Sequence, residues 1–180
     1  CIRDSIGNVG TNKEDFESDK IWTKGVIFNS EITSPSNYRS FQHLDAWLKK
    51  NKIVGITGLD TRSLTNFIRD KGAPKGTIAH SKKNKFHINK LTNSTIKWSG
   101  LKNLDLAEKV TTQKNYIWKG FKTWKKEYGY RKNNQNSFHV VAIDYGIKKN
   151  ILRYFSDFKC KVTIVSCKTS AEKILSLKPN

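Results

Sequence analysis

The stretch HVVAIDYGIKKNILRYF, residues 139–155, decides the class of fold that this sequence predicts. Four consecutive apolar residues lead into Asp144 and Gly146, and a segment with the apolar spacing of a helix follows at once. This order is typical of a buried parallel strand that feeds a crossover helix. We place the strand at 138–144 and its helix at about 147–158. The pattern therefore predicts α/β architecture.

A second pair of elements follows, with a strand predicted at 161–166 and a helix at about 169–177. Two parallel strands are too few for a stable sheet, because parallel sheets have several strands and both faces covered. We therefore expect residues 138–180 to be the beginning of a doubly wound domain. The sequence contains no methionine, which leads us to expect an internal piece of a longer protein.

The preceding residues alternate short strands and helices, which favours an α+β domain. Ser40 is the predicted N-cap of the first helix, Asp60 or Thr61 caps the second, and Gly72 ends it. The predicted elements are strands 25–29, 52–58 and 76–80, helices 40–50 and 60–72, and a polar surface excursion over 81–97.

The net charge of +19 at pH 7 raises the possibility of nucleic-acid binding. Two features argue against nucleic-acid binding. Of the 34 basic residues, 28 are lysines, and these are scattered along the sequence, whereas base and phosphate recognition favours the two-pronged hydrogen bonding of an arginine guanidinium.

The composition of residues 115–137 predicts an interdomain connection. Its aromatic residues could stack bases or pack against the domains. We favour packing and keep a basic nucleic-acid-binding module as the alternative. The aromatic residues are Trp118, Phe121, Trp124, Tyr128 and Tyr130.

The cysteines Cys1, Cys160 and Cys167 have neither metal-ligand nor disulfide-framework spacing. We interpret them as reduced thiols of a cytosolic protein. No apolar run approaches the roughly 18 residues that span a bilayer, and no signal-peptide pattern opens the sequence. The sequence therefore predicts no membrane association and no metal site.

Five stretches together resemble the small, glutamine-hydrolysing subunit of carbamoyl-phosphate synthase, in that family's order and spacing. A lone Gly-x-x-Gly would be a weak indication, but GLDTRSLT followed some 80 residues later by AIDYGIKKNILR is specific. The stretches are IGNVGTNKEDFES (6–18), IVGITGLDTRSLTNFIRDKGAPKGTI (53–78), LDLAEKVTT (104–112), HVVAIDYGIKKNILRYF (139–155) and CKVTIVSCKTSAEKIL (160–175).

The resemblance implies two domains. Residues 1–114 would form an N-terminal domain of the swivelling β/β/α type, truncated at its start, that docks on the large subunit. Residues 115–137 would connect it to residues 138–180, the first βαβα of a flavodoxin-like class I glutamine amidotransferase domain.

The resemblance also implies a chemistry. In the family a cysteine thiolate, activated by a His–Glu pair, attacks the glutamine amide, and an oxyanion hole stabilises the intermediate. The large subunit uses the ammonia with bicarbonate and ATP to make carbamoyl phosphate for pyrimidine and arginine synthesis. ATP and Mg²⁺ are implied for that subunit, so we expect no cofactor in this chain, and we expect a cytoplasmic location.

The sequence departs from the family pattern at both ends. The serine that the family places near glutamine lies upstream of Cys1, and CIRDS lacks the usual Pro-His. The catalytic Cys, His and Glu are missing from the sequence, and neither Cys160 nor Cys167 has the flanking glycines of the nucleophile. We therefore expect no glutamine hydrolysis by this chain alone; a scaffold protein without chemistry is a third interpretation.

Lys148 is the one residue for which the resemblance implies contact with substrate, at the edge of the glutamine pocket. It follows a strand's carboxyl end, where open α/β sheets bind ligands, and a cation there opposes the helix dipole. Gly146 is expected to permit the tight turn, and Asp144 to order it. Architectural roles are expected for Asp60, Thr61, Arg62, Gly7, Asn8 and Gly10.

Overall fold

The computed structural model describes Asn8 and residues 10–180, which divide into two units. The first unit contains the described residues up to Phe16 together with Lys20–Lys102, and the second contains Glu17–Asp19 and Asn103–Asn180. Both units mix helices with small sheets, as the predicted α/β class requires. None of the helices formed by the described residues is long and apolar enough to cross a membrane.

The first unit is built around two short parallel strands that pair from Gly25↔Val54 to Ile27↔Ile56. Phe28 and Leu48 are its most buried apolar side chains, at 3% and 4% exposure. Its elements are β1 (Gly25–Ile27), α1 (Leu44–Lys50), β2 (Val54–Ile56), α2 (Thr61–Lys71) and α3 (Ile88–Lys97).

Two predictions for this unit are wrong, and a third is incomplete. Helix α1 begins at Leu44 with His43 as its N-cap, not at Ser40, because Thr11 accepts hydrogen bonds from the Phe41 and Gln42 amides and holds them extended. Residues 76–80 form no strand; Ile78 instead packs over Gly25, where an added Cβ would lie 2.8 Å from Ile78 Cδ1. The predicted surface excursion over 81–97 contains helix α3.

The predicted ends of α2 are confirmed. Asp60 is the N-cap, and its carboxylate accepts from Ser63 N at 2.9 Å and from Ser63 Oγ at 2.7 Å. Gly72 ends the helix with a φ of +81°, which a side-chain-bearing residue adopts only with strain. Gly10, at φ +71°, lies in the predicted turn, and Gly7 lies outside the described residues.

Asp60→Ala should lower the urea midpoint of the chain at neutral pH, followed by helical circular dichroism. The hydrogen bonds from the Ser63 amide and hydroxyl lower the pKa of the Asp60 carboxyl. The stabilisation is therefore present above the unfolded pKa of about 3.9 and is lost as pH falls through the lower folded pKa. The difference between variant and wild type should shrink accordingly at acidic pH.

Asp70→Ala is the matched control, because it removes the same group from the opposite end of α2, where a carboxylate opposes the helix dipole. It should not lower the midpoint. Equal losses for the two variants would show that Asp60 does not act as a cap.

The second unit contains a three-stranded sheet in the order β3–β5–β4. Strands β4 and β5 pair in parallel from Phe138↔Cys160 to Asp144↔Ser166, which confirms the predicted parallel pair. The elements of this unit are α4 (Leu106–Val110), β3 (Tyr116–Ile117), β4 (Phe138–Asp144), α5 (Lys149–Asp157), β5 (Cys160–Ser166) and α6 (Ala171–Ser176).

Strand β3 gives β5 a second neighbour that the sequence did not predict. Residues 115–137 were predicted as an interdomain connection, and their Tyr116–Ile117 strand pairs antiparallel with β5. Trp118 then packs against the apolar cluster between the sheet and α5. That cluster consists of Leu152, Cys160, Val162 and Ile164, flanked by Trp118, Val140, Ala142, Ile147 and Phe155.

Candidate functional site

The turn from Asp144 to Lys148 joins β4 to α5 at the carboxyl end of the strand. Asp144 is 7% exposed, and its Oδ1 accepts from Gly146 N and from Ile147 N, each at 2.9 Å. Gly146 has a φ of +93°, and an added Cβ would lie 3.2 Å from Val110 Cγ2. Asp144 therefore orders the turn and Gly146 permits it, as predicted.

The segment that follows α4 crosses the carboxyl ends of both parallel strands. Thr112 N donates to Asp144 Oδ2 at 2.6 Å, and Cys167 N donates to Thr111 Oγ1 at 2.9 Å. Ser166 N donates to Asn115 Oδ1 at 3.2 Å. These contacts fix the edge of the sheet at which an open α/β sheet binds its ligands.

Lys148 is an exposed residue at the N-cap of α5, immediately after this turn. Its backbone is extended, with φ −72° and ψ 134°, and its side chain makes no capping hydrogen bond. Helix α5 thus begins one residue beyond Lys148. Lys148 thus follows the carboxyl end of β4 and the turn that Asp144 orders.

The acidic segment Glu17–Asp19 belongs to this unit and contacts the first two turns of α5. Glu17 Oε2 accepts from Asn150 N at 2.8 Å, and Glu17 Oε1 accepts from Arg153 Nη1 at 2.9 Å. Asp19 pairs with Lys149.

The pKa of Tyr116 is raised, mainly by burial and to a smaller extent by the negative charges of Asp144 and Asp19. Its hydroxyl is therefore neutral at neutral pH.

The Cys160 thiol is not arranged as an activated nucleophile. Cys160 is buried in the cluster that faces α5, with Sγ 3.6 Å from Phe158 O. The His139 ring lies 2.8 Å from Thr163 Oγ1, and side chains alternate along β5, so His139 occupies the opposite face of the sheet from Cys160. No group of three or more His, Cys, Asp or Glu residues that could hold a metal occurs in the described part of the chain.

Sequence reasoning identified Lys148, Asp144 and Gly146 but missed Thr111, Thr112, Asn115 and Glu17. Two of the quoted stretches contained three of these residues, LDLAEKVTT for the threonines and IGNVGTNKEDFES for Glu17. Nothing in their spacing indicated that they reach the carboxyl ends of β4 and β5 or the start of α5, because the hydrogen bonds span 32 to 133 residues of sequence.

Comparison with known proteins supplies independent information. Residues 3–78 match the family model for the carbamoyl-phosphate synthase small chain, CPSase domain. Over 97% of its length the chain is 46% identical to the carbamoyl phosphate synthase small chain of Bradyrhizobium diazoefficiens. The corresponding values are 47% for Agrobacterium fabrum and 49% for Bartonella henselae, again over 97% of this chain. The match covers 45% of each relative, so the chain spans about half the length of these curated relatives.

Proposed function

We propose that this chain, which is a relative of the carbamoyl phosphate synthase small chains over nearly its whole length, contributes to the glutamine-dependent synthesis of carbamoyl phosphate. The single observation that carries the proposal is the continuity of the match. At 46% identity over 97% of the chain, it includes both structural units. The family resemblance inferred from the five sequence stretches is thereby confirmed.

In this proposal each of the two domains has its own role. Residues 1–114 form the swivelling domain that docks on the large subunit, residues 115–137 connect, and residues 138–180 begin the flavodoxin-like glutamine amidotransferase domain. The parallel β4–α5–β5 arrangement supports the last assignment. The second structural unit includes the residues from Asn103 onwards, which is before the proposed boundary at residue 114.

In the proposed reaction, glutamine is hydrolysed in the complete small subunit and ammonia passes to the large subunit. That subunit would combine the ammonia with bicarbonate, using ATP and Mg²⁺, for pyrimidine and arginine synthesis. The proposal places the enzyme in the cytoplasm. The residues of this chain would contribute the partner-docking domain and one edge of the glutamine pocket.

The proposal includes no specific nucleic-acid partner. Trp118, Tyr128 and Tyr130, which could have stacked bases, have partners within the second unit. The Trp118 indole donates to Phe121 O at 3.2 Å, and Arg131 and Arg153 lie over Tyr128 and Tyr130 at 3.9 and 4.5 Å from the ring centroids. These contacts support packing over base stacking.

Lys148→Met should raise the KM for glutamine about 10-fold in an enzyme whose small chain carries these 180 residues. The ammonium would contact a carboxylate or carbonyl of glutamine at the carboxyl end of β4. It takes no part in thiolate attack, so its loss weakens substrate capture more than bond cleavage. Synthesis from free ammonia bypasses this site and should be unchanged.

Lys149→Met is the matched control, since it removes an ammonium from the adjacent residue, whose side chain is engaged by Asp19. Its KM for glutamine should stay near the wild-type value. A wild-type KM for the Lys148 variant would remove Lys148 from the proposed site.

A further inference from the structure

Helix α5 begins at a position that a lysine cannot cap. An N-cap side chain normally accepts a hydrogen bond from one of the first amides of its helix, and serine, threonine, aspartate and asparagine serve this purpose. The lysine ammonium has three donors and no acceptor. Its positive charge also lies at the positive end of the helix dipole. Lys148 therefore leaves α5 without a cap of its own.

Glu17 supplies the missing acceptor from a distant part of the sequence. Its Oε2 accepts from Asn150 N, the second residue of α5, at 2.8 Å, which is the contact that a capping side chain would make. Its negative charge offsets the dipole and the charge of Lys148. Because Glu17 supplies the hydrogen-bond acceptor, the N-cap position of α5 can be occupied by the positively charged Lys148.

The second carboxylate oxygen is held by a buried cation. Glu17 Oε1 accepts from Arg153 Nη1 at 2.9 Å, and the Arg153 side chain is 7% exposed. The guanidinium also lies over the Tyr130 ring, with Cζ 4.5 Å from the centroid. Arg153 is one turn beyond Asn150, so the carboxylate spans the first two turns and fixes the direction in which the helix starts.

We propose that Glu17 is a positioning residue for substrate capture, which holds the first turn of α5 so that the Lys148 ammonium faces glutamine. This inference rests on the proposed function. Glu17 lies within residues 3–78, which match the CPSase domain, yet its carboxylate orders the turn next to the proposed glutamine pocket. Glutamine capture would thus depend on a residue far from the amidotransferase region in sequence.

The test compares three small-chain variants in the assembled enzyme: Glu17→Ala, Lys148→Met and the double variant. Glu17→Ala should raise the KM for glutamine about fivefold, the factor that corresponds to the loss of one helix cap. The kcat and the ammonia-dependent rate should change little. Because Glu17 acts through Lys148, Glu17→Ala should add almost nothing to the KM of the Lys148→Met variant.

Two further variants separate positioning from stability. Arg153→Met removes the buried cation that holds Glu17 Oε1 but leaves Asn150 N as a donor to the same carboxylate, so its KM should rise by less than that of Glu17→Ala. Glu17→Ala combined with Arg153→Met avoids an uncompensated buried charge and should unfold at a higher temperature than Glu17→Ala alone. It should nevertheless keep the raised KM.

Asp19→Asn is the control within the same segment, since the Asp19 side chain is 89% exposed and contacts α5 through an ion pair with the Lys149 ammonium. Its KM should equal that of wild type. In the 180-residue chain itself, amide hydrogen exchange at Asn150 should be faster in Glu17→Ala than in Asp19→Asn.

The outcomes distinguish this inference from the function on which it rests. If Lys148→Met raises the KM and Glu17→Ala does not, or if the two effects multiply in the double variant, the inference is overturned and the proposed function stands. If Lys148→Met leaves the KM unchanged, the proposed role of Lys148 fails, and the inference fails with it.

Discussion

Asp144→Ala should lower the free energy of unfolding of the second unit by about 3 kcal/mol. The buried carboxylate accepts hydrogen bonds from three backbone amides, those of Thr112, Gly146 and Ile147. Removal leaves these donors without the acceptor, at roughly 1–3 kcal/mol for each one that stays buried, and water can reach some of them in the variant. Urea unfolding followed by tryptophan fluorescence measures the change.

Asp157→Ala is the matched control, because it makes the same chemical change at a half-buried carboxylate in the same unit. Asp157 accepts one described side-chain hydrogen bond, from Thr123 Oγ1 at 2.6 Å, so its loss should cost only about 1 kcal/mol. Similar losses for the two variants would contradict the role given to Asp144.

The second large effect is the absence of turnover: the purified 180-residue chain should release no ammonia from glutamine above a buffer blank. An enzyme of ordinary efficiency turns over at about 10 per second, so the expected deficit is many orders of magnitude. A nucleophilic thiol needs an adjacent base, and Cys160 and His139 occupy opposite faces of the sheet.

A coupled glutamate dehydrogenase assay, supplied with 2-oxoglutarate and NADPH, detects the released ammonia. Release of ammonia that is lost on Cys1→Ser, Cys160→Ser or Cys167→Ser would show that one of these thiols is a nucleophile after all. Release that survives all three substitutions would point to a contaminating glutaminase, which a preparation from a second expression host would identify.

The sequence predicted the β4–α5–β5 arrangement to within two residues at each end. The reason is local: long apolar runs of strand length and a strongly amphipathic helix leave few alternatives. Asp144 and Gly146 were also predictable, since an acid and a glycine directly after a buried strand have few other uses than ordering a turn. Helix α2 was also predicted from local signals, because Asp60 and Gly72 mark its two ends.

The incorrect or missed predictions concern elements whose structure depends mostly on contacts with other parts of the chain. Strand β3 is two residues long and exists because β5 offers it a partner. Ser40 is a good cap in isolation, but the pairing of Thr11 with Gln42 holds the chain extended there. Helix α3 was missed because its polar residues obscure an apolar face formed by Ile88, Leu91 and Ile96.

In the candidate functional site, too, contacts between distant parts of the chain could not be predicted from the sequence. Lys148 was identified through the family resemblance, and its position after β4 agrees with the general location of ligands in α/β sheets. The family resemblance and the sheet position gave no indication of Glu17, because nothing in the sequence distinguishes this glutamate from the other acidic residues of polar loops. The role proposed for it rests on the hydrogen bond between its carboxylate and the amide of Asn150, 133 residues away.

Binding to the large subunit tests the central claim most directly. The 180-residue chain should form an equimolar complex with a carbamoyl phosphate synthase large chain, with a Kd below about 1 μM in isothermal titration calorimetry. With a net charge of +19 the chain will also attract acidic proteins, so the measurement is repeated at about 0.5 M salt, which screens such attraction. A complex that persists there is the predicted result; no complex, or one that disappears with salt, would contradict the proposed small-chain function.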